Sequence, residues 1–431
     1  MPLLGAVVCF LLYGCAMHLP EGVTEGELWG RLQRQQPTWH LHTQREGAVE
    51  VAIAIPDREQ TQVLFGAPLW DRGIQPVWIR IRNEGNVPYW FFPAAVDANY
   101  FPPLELVYQF RHDYLSPWAD ALRHSELPQY LPAGTERSGF IFTNLAIGTK
   151  PITVALVGPG QPVRFEFDVS VPGVQLDYQG VDFQSLHHPE TIVHLEDEES
   201  LRDALQRLPC CTSSADGTRQ GDPLNVVILS RWERLIATLV RSGWDETEAS
   251  TQGAMWRASM AFVSQRRYRH TLFSPLYVFG RHQDLGLQKS RQTISVRNHL
   301  RLWMTPLRFR ETPVWVGTIS RDVGVRLTLR TWPPVTHTID PNLDEARTYL
   351  LEDLILNQGV AAVGFVDGVG VSLKSEPHRN LTGDPYLTDG VRVVLILAEH
   401  PVPPASARLL RWRWPAVFEQ DFNDWLQQHP S

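Results

Sequence analysis

The chain has 431 residues, 43% of them hydrophobic and 20% charged, with a net charge of −8. These values fit two or three folded domains; they exclude a largely disordered chain and the overall basic footprint of a nucleic-acid binder. Four cysteines in this length also exclude a disulfide-framework protein.

Leu3 to Tyr13 is an apolar run of secretory-signal length, too short to span a bilayer. It ends in Leu12-Tyr13-Gly14-Cys15, which resembles the lipobox of bacterial lipoproteins. The resemblance implies a signal over residues 1–15 with Cys15 lipidated. It also implies an outer-membrane, lipid-anchored, periplasm-facing chain, because Ala16 and not Asp follows the cysteine. A plain secretory signal or a buried N-terminal helix is the competing reading. Residues 16–44 read as a tether with a short helix over Glu27 to Gln36.

From 45 to 175 the chain is rich in short β-branched and aromatic runs. These are 49–55, 75–83, 103–110 ("PLELVYQF"), 138–145, 151–158 and 163–171. In "VWIRIRN" Val77, Ile79 and Ile81 alternate with Arg80 and Arg82, the period of a half-buried strand. Turn signals such as "NEGN" and "PAGT" separate the runs, and no long helix is expected between them. This predicts an all-β, immunoglobulin-like sandwich.

Residues 176–219 read as a linker with a short helix from Ser200 to Leu208, ending at Pro209 and the pair Cys210-Cys211. In an oxidising compartment these two would be the remaining thiols. Adjacent α-carbons lie about 3.8 Å apart, so an intrachain bond between them is strained and acts as a pin of the turn. Two buried free thiols or a bond between chains are the alternatives.

Residues 220–400 change pattern. Strands are expected at 225–229, 275–280, 298–304, 313–319, 360–366 and 391–398. One helix follows the first strand, with Trp232, Leu235, Ile236, Leu239 and Val240 on one face. A second runs from Asp340, with Leu343, Ala346, Leu350 and Leu354 as its buried stripe. The order predicts an α/β (α+β) domain: a mostly antiparallel sheet with helices on one face. Residues 401–431 form a tail with a short helix.

"SPLYVFGRHQDLGLQKSR", "RNHLRLWMTPLRF", "PVWVGTISRDVGV" and "THTIDPNLDEARTYLLEDL" resemble the LssY C-terminal domain family, over roughly 220 to 400. Some relatives carry this domain behind membrane-embedded, lipid-phosphatase-like or DedA-like regions. The resemblance therefore implies an association with membrane lipids and names no reaction.

Two constellations carry chemistry. His299, Asp322, His337 and Asp340 combine imidazole with carboxylate, a set suited to general base catalysis or to a divalent metal. Against this, Asp340 is a ready helix cap and His299 fits the solvent face of an alternating strand. Arg281, Arg301 and Arg321 are guanidinium forks suited to phosphate or carboxylate, unless each is consumed by a neighbouring aspartate such as Asp284. "QRRYRH" (265–270) and "RLLRWRW" (408–414) read as ordinary solvated or edge-strand segments. No cofactor is evident. The expected role is an envelope protein binding a partner or an anionic ligand at the membrane, without nucleic acid. The alternative is a hydrolase acting on phosphorylated or lipid-derived substrates.

Overall fold

The computed structural model describes residues 22–160, 162–173, 175–248, 276–290, 297–327 and 335–412, with the backbone alone at 37, 325–327 and 335–337. The lipobox-like segment, "QRRYRH" and the C-terminal helix lie outside the described residues. The chain divides into two compact units, Met1–Val171 and Pro172–Ser431, and the whole is mostly β.

The described strands of the first unit are β1 (His42–Glu46), β2 (Val49–Ala54), β3 (Ile74–Asn83), β4 (Tyr89–Phe91), β5 (Tyr130–Leu131), β6 (Thr135–Asn144), β7 (Gly148–Val157) and β8 (Val163–Val171). They pair antiparallel in the orders β1-β2-β3-β6 and β5-β4-β7-β8. Period two sorts the side chains. Val51, Ile53, Val77, Ile79 and Ile81 of one sheet share a core with Ile152, Val154, Phe165 and Phe167 of the other. Trp78, Phe140 and Phe142 point to the opposite face of the first sheet.

That second face is covered by helices, which corrects the expectation of an uninterrupted β domain. They are α1 (Glu25–Gln35), α2 (Arg58–Phe65), α3 (Pro93–Val96), α4 (Pro103–Gln109) and α5 (Pro117–Ser125). Leu28 and Leu32 of α1 are buried with Phe65, Leu106, Trp118 and Leu122, so this part of the expected tether belongs to the core. "PLELVYQF" is α4 and not a strand. Pro103 sits in its first turn, where its missing N–H costs nothing, and Leu106, Val107 and Phe110 have the i, i+1, i+4 spacing of one helix face.

In the second unit the described strands are β9 (Val193–Leu195), β10 (Cys211–Ser213), β11 (Gln220–Pro223), β12 (Val226–Leu229), β13 (Asp245–Glu246), β14 (Tyr277–Val278), β15 (Arg281–His282), β16 (Leu285–Ser290), β17 (Arg297–Phe309), β18 (Thr312–Leu327), β19 (Val335–Ile339), β20 (Val360–Asp367), β21 (His378–Arg379), β22 (Pro385–Tyr386), β23 (Val391–Leu397) and β24 (Arg408–Leu409). The helices are α6 (Glu198–Gln206), α7 (Trp232–Arg241) and α8 (Leu343–Leu356). The main sheet runs β13-β16-β17-β18-β12-β23-β20-β24, with β19 on β18 and β9 on β17. It is antiparallel apart from β12 with β23, β17 with β9 and β20 with β24.

Helices cover both faces of this sheet, not one. Leu235, Ile236 and Leu239 of α7 and Ala346, Leu350 and Leu354 of α8 pack on Leu300, Leu302, Ile319, Val393 and Leu395. On the opposite face, Leu201 and Leu205 of α6 pack with Val227, Trp303, Val314, Val316 and Val394. A small sheet, β11-β10-β14-β15, contributes Val278 to that same core. Each such buried aliphatic side chain contributes roughly 1.5–3 kcal/mol. Helix α8 starts at Leu343 after Asn342, so Asp340 is not its cap; Asp340 Oδ1 instead accepts from the Asn342 N–H at 3.0 Å.

The sulfurs of Cys210 and Cys211 are bonded to each other at the start of β10. The turn before them is held by Arg392 of β23, which is 0% exposed. Its guanidinium donates to the carbonyls of Leu205, Leu208, Pro209, Leu224 and Gly368 at 2.5, 3.1, 2.5, 2.8 and 2.9 Å. Burial lowers its pKa to about 10.

Candidate functional site

The site grows from one alternation in β17. Asn298, Leu300, Leu302 and Met304 face the helices, so Arg297, His299, Arg301 and Trp303 face the other way. Trp303 joins the apolar core under α6. The three basic residues therefore occupy a covered face of the sheet, where the sequence pattern alone also fits a solvent face. Neighbouring strands add Gln288 of β16 opposite His299, Ser320 of β18 opposite His299 and Thr318 of β18 opposite Arg301. Asp322 lies two residues beyond Ser320 on the same side.

His299 Nε2 is 2.6 Å from Asp322 Oδ2, and both residues are buried. Arg297 Nε donates to His299 Nε2 at 2.8 Å and lies 3.5 Å from Asp322 Oδ2. Arg297 Nη1 donates to Gln288 Oε1 at 2.8 Å. Burial is the largest influence on His299 and lowers its pKa to about 4, with Asp322 pulling the other way. The ring is thus neutral at neutral pH.

Arg301 faces a second carboxylate, Asp222 of β11. Burial raises the Asp222 pKa, while the charge of Arg301 and the Asn380 side chain lower it. Asp222 is 7% exposed, yet its Oδ1 has no hydrogen-bond partner among the described residues. The same is true of Thr318 Oγ1, on a residue 1% exposed. The strands close tightly here: a Cβ at Gly317 would lie 2.4 Å from the Arg301 carbonyl oxygen.

Of the residues singled out from sequence, the fold gathers His299, Asp322 and Arg301. It separates Arg321 and Asp340 from them. Arg321 pairs in register with Asn298, on the helix side of the sheet, and donates from Nε to Asn298 Oδ1 at 3.2 Å. Its Nη1 lies 3.8 Å from Asp340 Oδ2 and 3.6 Å from Glu345 Oε2. Adjacent residues of a strand face opposite ways, so Arg321 and Asp322 cannot serve one site. Arg281 is engaged elsewhere: it holds Asp284 with two bonds of 2.8 and 2.9 Å and donates to the Met304 carbonyl at 2.6 Å. His337 pairs in register with Val325 on β19, and its side chain lies outside the described residues. Among the described residues, no group of three or more His, Cys, Asp or Glu could hold a metal ion.

Sequence reasoning missed Arg297, Gln288, Asp222 and Thr318. Arg297 carried a signal, since Arg297, His299 and Arg301 recur at period two. Asp222 carried none, because it reaches the site from a separate small sheet. No curated protein matches the chain. Residues 187–391 match the family model described as the LssY C-terminus, and the chain carries an LssY C-terminal domain there.

Proposed function

We propose that the LssY C-terminal domain binds an anionic ligand on the Arg297–His299–Arg301 face. The observation that carries this reading is the placement of three basic side chains at alternate positions of one strand, on a covered face, with Asp322 fixing two of them. Guanidinium forks recognise phosphate or carboxylate with two parallel hydrogen bonds, and such bonds strengthen away from water. The lipobox-like Leu12-Tyr13-Gly14-Cys15 supports placing this activity at the outer membrane, lipid-anchored and facing the periplasm. The two sheets that share a core in the first unit support reading that unit as an immunoglobulin-like sandwich with added helices, suited to an envelope partner. The test is calorimetric titration of the full chain with inorganic phosphate and with acetate. Saturable binding that is lost in Arg301→Gln is expected. No binding of either anion sinks the reading.

The 2.6 Å contact of His299 with Asp322 favours a second reading, hydrolysis of a phosphorylated or lipid-derived substrate. Asp322 would then orient a neutral His299 as general base. Turnover of a phosphoester panel that disappears in His299→Gln is the expected result on that reading.

A further inference from the structure

Two buried polar atoms beside Arg301 are left over by the folded chain. Asp222 Oδ1 and Thr318 Oγ1 find no hydrogen-bond partner among the described residues, and Asp222 and Thr318 are 7% and 1% exposed. A buried polar atom without a partner destabilises the fold and calls for an explanation. The two atoms are chemically different. A carboxylate oxygen accepts, whereas a hydroxyl both donates and accepts. They also approach Arg301 from different elements. Thr318 is its register partner on β18, and Asp222 belongs to β11 of the small sheet, where it is the first charge acting on Arg301.

A simple anion satisfies only part of this arrangement. The oxygens of a fully ionised phosphate ester accept from Arg301 and from the Thr318 hydroxyl, but offer no proton to an ionised Asp222. A hydroxyl close to the anionic group completes it, since an alcohol O–H donates to Asp222 Oδ1. Resting on the anion-binding reading above, we infer that the ligand is a phosphate ester bearing a neighbouring hydroxyl, with the phosphate on Arg301 and Thr318 and the hydroxyl on Asp222. That chemistry occurs both in free polyol phosphates and in polyol lipid headgroups.

The experiment titrates the full chain with sn-glycerol 3-phosphate and with propyl phosphate, which has the same charge without the hydroxyls. In parallel, it measures binding to vesicles of phosphatidylglycerol and of phosphatidic acid. A preference of about tenfold or more for the hydroxylated member of either pair is expected, because a site built around a ligand hydroxyl leaves its own polar groups unpaired with the analogue. The pair that shows it identifies the source. Asp222→Ala should abolish the preference. Thr318→Val should weaken all phosphate ligands together while raising the unfolding temperature, since it removes an unpartnered buried hydroxyl. Should Asp222→Ala fail to fold, the preference in the wild-type chain and the Thr318→Val pair of readouts decide. Equal binding within both pairs overturns the inference and leaves anion binding intact. No binding of any phosphate overturns the anion reading itself.

Discussion

His299 and Asp322 stand on neighbouring strands with Nε2 2.6 Å from Oδ2, and Arg297 closes on the same carboxylate oxygen at 3.5 Å. All three are buried, at 6%, 4% and 3% exposure, so the cluster stands or falls on charge compensation. Removing one member of a buried pair strands the other charge, at a cost of about 3–5 kcal/mol. Asp322→Ala should therefore lose about that much stability in urea unfolding. Arg297→Met combined with Asp322→Leu should lose clearly less, because no charge is left behind. A double variant as unstable as the sum of the singles would contradict this account.

The pH dependence of stability has two opposed parts. His299 titrates near 4 in the fold and near its ordinary 6.5 when unfolded. Between those values the unfolded chain binds more protons, so this part is fully present above pH 6.5 and is lost as pH falls toward 4, by up to roughly 3 kcal/mol. Asp177 runs the other way: burial raises its pKa from 3.8 to about 7 against the hydrogen bond from Thr247. Its part is present below 3.8 and is lost as pH rises toward about 7. Asp177→Asn should steepen the rise of stability with pH from about 4 to 6.5, and His299→Gln should reverse it. Unfolding free energies of both variants across that range check this; parallel profiles would reject it.

The centre of the second unit's main sheet was legible in the sequence, because its strands and the helices on it are long enough for period to decide. Val226 to Leu229, Val360 to Asp367 and the Leu343-Ala346-Leu350-Leu354 stripe all lie where periodicity places them. The site was half legible. His299, Asp322 and Arg301 are residues whose chemistry stands out, but period two also decides which of their neighbours share a face, and it excludes Arg321. What period cannot show is what covers a face. Burial of the β17 cluster and the arrival of Asp222 depend on α6 and the small sheet, whose short strands are two to four residues long. In the first unit α4 was misread because a seven-residue helix opened by proline differs little in composition from a strand.

The proposed lipidation of Cys15 gives a direct prediction. Acyl chains anchor through about 0.8 kcal/mol per buried methylene, and stable attachment takes more than one chain. Radiolabelled palmitate should be incorporated into the wild-type chain in a bacterial host, and Cys15→Ser should abolish both the label and recovery in the outer-membrane fraction. Unlabelled wild-type chain in the soluble periplasmic fraction would refute the lipobox reading.

Arg392 should be among the costliest positions in the second unit. It has no exposed surface and donates five bonds to main-chain carbonyls from three separate segments. Each buried carbonyl left without a donor costs about 1 kcal/mol or more. Arg392→Met should lose about 4 kcal/mol or prevent folding. Arg392→Lys should recover only part of it, since an ammonium has three donors and not five. A loss below about 1 kcal/mol for the methionine variant in urea unfolding would show that water replaces the guanidinium.

The bond between Cys210 and Cys211 sits directly after two of the carbonyls that Arg392 holds, those of Leu208 and Pro209. Its position makes it a local device. A cross-link restricts the unfolded chain in proportion to the logarithm of the loop it closes, and a two-residue loop is the smallest there is, so it stabilises by only about 1 kcal/mol. Arg392 already anchors the same turn from the core. Reduction should thus leave the fold intact and shift unfolding by a small amount, while Arg392→Met remains severe with the disulfide oxidised. Calorimetric unfolding with and without a phosphine reductant, alongside intact mass after thiol labelling, separates the two. A collapse of the second unit on reduction would show that the disulfide, and not the arginine, holds the turn. Labelling of both thiols without reductant would show that the bond does not form.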